Sequence, residues 1–80
     1  MNKKNNYNAK IFVNNAIKKL SEINAIESEI NVPEKLREDV RRYLFDLFEE
    51  DDVMINKNIE GFLTVTFLDE KMQITFNFND

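Results

Sequence analysis

The stretch Leu63-Thr64-Val65-Thr66-Phe67-Leu68-Asp69-Glu70-Lys71-Met72-Gln73-Ile74-Thr75-Phe76-Asn77-Phe78 decides the reading of the fold. Leu63, Val65 and Phe67 alternate with Thr64, Thr66 and Leu68, and Met72, Ile74, Phe76 and Phe78 alternate with Gln73, Thr75 and Asn77. A period of two is that of strands with one apolar face. Asp69-Glu70 supply the turn. If Phe67 faces Met72, then Val65 faces Ile74 and Leu63 faces Phe76, so every inward residue meets another. A one-residue slip would turn one strand inside out. Upstream, Val53-Met54-Ile55 and Ile59 suggest a shorter third strand joined through Asn56-Lys57-Asn58.

Before Asp52 the apolar period is helical. Val13, Ala16, Ile17, Leu20, Ile23 and Ile26 fall at steps of three and four, which predicts one helix from about Tyr7 to Ile30. Asn31-Val32-Pro33-Glu34 reads as break and restart, with Pro tolerated in a first turn and Asn31 and Glu34 at capping-box spacing. Leu36, Val40, Tyr43, Leu44, Leu47 and Phe48 then predict a second helix to about Glu50. So short a connection implies antiparallel helices. The expectation is an α+β fold of order α-α-β-β-β, an antiparallel helical hairpin on one face of a small antiparallel meander.

The 80 residues suffice for one domain spanning 1–80, with 1–6 expected to be a flexible basic tail. The chain carries 11 Lys plus Arg, 15 Asp plus Glu, no His and no Cys, for a net charge of −4. The missing His and Cys remove the usual general base, the usual zinc ligands and thiolate chemistry. The only serines, Ser21 and Ser28, have no base partner, and Gly61 is the sole glycine, so no phosphate-cradling loop is present. Asn56-x-Asn58-x-Glu60-Gly61 resembles the start of a calcium loop but lacks its first Asp and has Phe67 where a bidentate Glu belongs. A non-enzyme without metal or cofactor is expected. No membrane span is expected either, because the longest apolar runs, such as Ile11-Phe12-Val13, are far below the ~20 residues needed. The default compartment is then the cytoplasm. Direct nucleic-acid binding is opposed by the acidic balance. Asn, Lys, Ile and Phe make up 35 of the 80 residues; AT-rich codons for all four suggest a low-GC bacterium, phage or mobile element.

Two surfaces look unlike plain scaffold. Asp46, Glu49, Glu50, Asp51 and Asp52 crowd the C-terminal end of the second helix, where the dipole already disfavours negative charge. Residues 21–52 hold eleven acids against Lys35, Arg37, Arg41 and Arg42. The run reads as a patch for a protein partner with a basic surface, imitating nucleic-acid phosphates as an inhibitor of a host defence enzyme would. The competing reading is neutralisation by Lys3, Lys4 and Lys10, which an antiparallel hairpin would bring alongside. The second surface is the last strand. Met72, Ile74, Thr75, Phe76, Asn77 and Phe78 form an uncharged stretch that a meander would leave as an edge, and unblunted edges are normally covered. That suggests a homodimer or partner strand there, an antitoxin-like module, with Phe62 as an anchor on the polar sheet face.

Overall fold

The computed structural model describes residues 3–79, with side chains from Tyr7 onward. Helix α1 (Lys3–Glu22) leads to strand β1 (Glu27–Asn31), a 3-10 turn (Glu34–Leu36), helix α2 (Arg37–Glu49) and strands β2 (Val53–Ile59), β3 (Phe62–Phe67) and β4 (Met72–Asn77). The class is α+β, with both helices on one face of a four-stranded mixed sheet of order β1-β4-β3-β2.

The hairpin register is the one the alternation dictates: Phe67 opposite Met72, Val65 opposite Ile74, Leu63 opposite Phe76. Lys71 closes the turn at φ 56°, its N–H donating to the Phe67 carbonyl at 2.8 Å. The β2–β3 loop turns at Gly61, at φ 83°, where the Asn79 side chain occupies the space a Cβ would need. Strand β2 is longer than expected, because an irregularity between Ile55 and Lys57 lets Asn56-Lys57-Asn58 continue it. Asn56 Oδ1 accepts a hydrogen bond from Thr66 Oγ1 at 2.6 Å there.

The expected first helix is too long. It ends at Glu22, where Asn24 adopts φ 58° and the Ala25 N–H returns to the Leu20 carbonyl at 2.9 Å. This is a Schellman closure, which favours Gly or Asn at the left-handed position. Ile23 and Ile26, at helical spacing from Leu20, are therefore 71% and 75% exposed. At its other end α1 starts at Lys3, inside the segment expected to be a tail, while Met1 and Asn2 lie outside the described residues.

Strand β1 is absent from the expected order. It pairs parallel to β4, Glu27 with Gln73 through Asn31 with Asn77. This strand corrects two expectations. First, β4 is interior, with β3 on one side and β1 on the other. Met72, Ile74, Thr75, Phe76 and Asn77 therefore do not form a sheet edge, and Phe78, 7% exposed, joins the core. An uncharged strand is indeed covered, but by its own chain. Second, the helices are not joined by a tight turn. β1 leads away from the end of α1 and delivers the chain to the start of α2, so both helices run against it and in the same sense. The Asn31–Glu34 capping box does not form either. Pro33 starts the 3-10 turn without a side-chain cap, and the Asn31 amide oxygen accepts from Asn77 Nδ2 at 2.9 Å.

The core is one cluster. Ala9 and Val13 of α1, Val40 and Leu44 of α2, and Leu63, Val65, Ile74 and Phe76 of the sheet are fully buried. Phe67 and Phe76 meet edge to face, their centroids 6.3 Å apart. The opposite sheet face is polar and ties itself together. Thr64 and Thr75 share a hydrogen bond at 2.9 Å, and Gln73 Nε2 donates to Glu27 at 3.2 Å. Phe62 sits half-buried there, opposite exposed Ile59 of β2.

Candidate functional site

Helix α2 is amphipathic, burying Val40 and Leu44 and turning Asp46, Glu49 and Glu50 to water. Its end is built by hydrogen bonds rather than by a glycine. The Asp51 N–H donates to the Phe48 carbonyl at 3.1 Å and the Asp52 N–H to the Leu47 carbonyl at 3.0 Å. Asp51 itself sits at φ 63°. The motif is again the Schellman closure, with an aspartate at the position that favours glycine. Two local rules are broken at one residue, since a carboxylate also opposes the helix dipole there.

Tertiary structure enlarges this pole. The Leu68 N–H donates to the Asp52 carbonyl at 3.3 Å, which holds the β3–β4 turn against the end of α2. Asp52, Asp69 and Glu70 then line one shallow depression with Asn14, Ile17, Tyr43 and Leu47. Asp69 and Glu70 read as mere turn residues in the sequence; only the sheet brings them beside the acidic run. Burial, followed by the carboxylates of Asp52 and Glu50, pushes the Tyr43 phenol above its ordinary value. Carboxylates from the end of α2 and from the β3–β4 turn thus meet beside Tyr43.

The expected internal neutralisation is not found among the described residues. Glu49, Glu50, Asp51 and Asp52 are exposed, and no ion pair among the described residues reaches them. Lys10 is exposed on α1, and the side chains of Lys3 and Lys4 lie outside the described residues. Because α1 and α2 run in the same sense, the start of α1 is far from the end of α2. The cationic groups of α2 lie near its other end. Arg41 stacks on the Phe78 ring at 4.5 Å, Arg37 Nε donates to the Val32 carbonyl at 3.4 Å, and Arg42 lies 3.8 Å from Asp39. The helix therefore separates charge along its length.

Among the described residues no group of three or more carboxylates converges as a metal site would require. Asp52, Asp69 and Glu70 line the Tyr43 depression, and Asp46, Glu49, Glu50 and Asp51 are exposed outside its lining. Among the described residues no helix is long and apolar enough to cross a membrane.

No protein-family model matches the chain, and no curated protein or solved structure matches it.

Proposed function

We propose that this chain is a non-enzymatic binding protein that sets its acidic pole against a basic, nucleic-acid-binding surface of a partner protein. Asp46, Glu49, Glu50, Asp51 and Asp52 supply the charge, and Asp69 and Glu70 extend it. A Lys or Arg of the partner seats beside Tyr43, between Asp52, Asp69 and Glu70. Inhibition follows by occupancy, because the groove is then closed to phosphates; a phage or mobile element acting against a host defence enzyme would make use of it. The observation that carries the reading is Asp51. An exposed aspartate in the left-handed position at a helix C-terminus costs stability twice, and among the described residues no ion pair or side-chain hydrogen bond offsets that cost. Local rules broken without structural gain point to function.

The test compares the wild-type protein with a variant carrying Glu49→Gln, Glu50→Gln, Asp51→Asn and Asp52→Asn. Both are tagged and used to capture proteins from lysates of low-GC bacteria, with elution by a salt step or by short duplex DNA. The reading predicts a basic protein held by the wild type, released by both eluents and lost with the amide variant. Equal capture by the two proteins refutes it.

A further inference from the structure

The second unpartnered surface is at the opposite side of the sheet, along β1. The Gln73 N–H donates to the Ile26 carbonyl at 2.9 Å, and the Val32 N–H donates to the Asn77 carbonyl at 2.9 Å. Strand alternation then points the backbone of Ser28 and Ile30 at β4, and that of Glu27, Glu29 and Asn31 outward. β1 is the last strand on its side, so among the described residues those outward N–H and C=O groups form an open edge. The edge is roofed on the helix side by an apolar groove between α1 and β1, lined by Phe12, Ala16, Leu20 and Ile30. On the open face of the sheet β1 presents only polar side chains, Glu27, Glu29 and Asn31, all exposed.

We infer that this edge and groove receive an extended segment of a partner protein, adding a strand to β1, with apolar side chains towards α1 and Lys or Arg on the open face beside Glu27 and Glu29. Charge decides the occupant. A second copy pairing antiparallel must align outward-pointing residues with one another. Centring the pair on Glu29 sets Glu29 against Glu29, and centring it on Ser28 sets Glu27 against Glu29. Like charges directly opposite disfavour both. Centring on Ile30 leaves only residues 29–31 overlapping before Pro33 ends the strand. A basic strand meets no such conflict. Lys19, which also lines the groove, repels a cation from the helix side and fixes which way the segment faces. This is strand addition, where backbone bonds give affinity and alternate side chains give selectivity. It involves none of the carboxylates at the end of α2, so it stands or falls separately from the acidic-pole reading.

The test uses isotopically labelled protein and two probes, a short peptide of alternating Lys and Val and a matched one of alternating Glu and Val. The Lys–Val peptide is expected to slow hydrogen exchange of the Glu27, Glu29 and Asn31 amides at least about tenfold and to shift the Leu20 and Ile30 methyls, whereas the Glu–Val peptide is expected to do neither. Reversing charge with Glu27→Lys and Glu29→Lys is expected to weaken the Lys–Val peptide about fivefold or more. The milder pair Glu27→Gln and Glu29→Gln should give an intermediate loss if the reversed variant folds poorly. Three results overturn the inference: shifts confined to the acidic pole, equal protection by both peptides, or protection that grows with protein concentration alone.

Discussion

Replacing Asp51 with glycine should stabilise the protein while weakening its acidic pole. A non-glycine residue in the left-handed region costs roughly 1–2 kcal/mol, and Asp51 sits there at φ 63°. Its carboxylate at the helix C-terminus adds roughly 0.3–1 kcal/mol of unfavourable dipole interaction. Glycine gives back part of this, because its freer unfolded chain costs roughly 0.5–1 kcal/mol. The balance is a gain of about 1 kcal/mol, or a Tm rise of roughly 4–8 °C for a domain of this size. Asp51→Asn removes the charge and keeps a side chain at φ 63°, and should deliver roughly the 0.3–1 kcal/mol of the dipole interaction, about half of the gain. Thermal melts followed by circular dichroism read both variants. A Tm for Asp51→Gly equal to or below that of wild type refutes the reasoning. So does an Asp51→Asn variant as stable as the glycine one, which would make charge, not backbone conformation, the source of strain. If the acidic pole is the binding surface, the more stable Asp51→Gly protein also captures less partner as salt rises.

Other outcomes follow from the sheet and from Tyr43. Thr75→Pro should cost at least about 2 kcal/mol, because the Thr75 N–H points at β1 and its loss strands a β1 carbonyl. Circular dichroism melts and exchange of the β1 amides check this; a fold as stable as wild type would mean β4 is an edge after all. The raised phenol value means the fold favours neutral Tyr43. That contribution is complete below the unfolded-state value of about 10 and is lost as pH rises through the folded value. Tyr43→Phe should therefore flatten the alkaline fall in Tm between about pH 9 and 11, and parallel wild-type and variant profiles would contradict this.

The sequence by itself determined the β3–β4 hairpin to the residue. Period-two alternation on both strands admits one register that buries Leu63, Val65, Phe67, Met72, Ile74 and Phe76 together. It likewise determined the core positions Val13, Val40 and Leu44 of α1 and α2, though not Phe48, which is 47% exposed, and the acidic run at the end of α2, since the spacing of apolar and charged residues around a helix is a local property. Strand β1 was illegible. Glu27-Ser28-Glu29-Ile30-Asn31 has one apolar residue and little β propensity, and Ile23, Ile26 and Ile30 imitate the next turns of the preceding helix. What makes it a strand is non-local: β4 has an open flank, and five residues after α1 can fill it with parallel backbone bonds. That one pairing moved β4 from the edge to the interior, set the helices in the same sense, and took the start of α1 away from the acidic end of α2. It also placed the free edge on β1, beside an apolar groove. Asp69 and Glu70 joined the acidic pole for the same reason, because only sheet closure brings a turn at residue 70 against a helix end at residue 50. Local periodicity decides which side of each element is buried; which elements become neighbours is decided by the backbone hydrogen bonds that the folded sheet must satisfy.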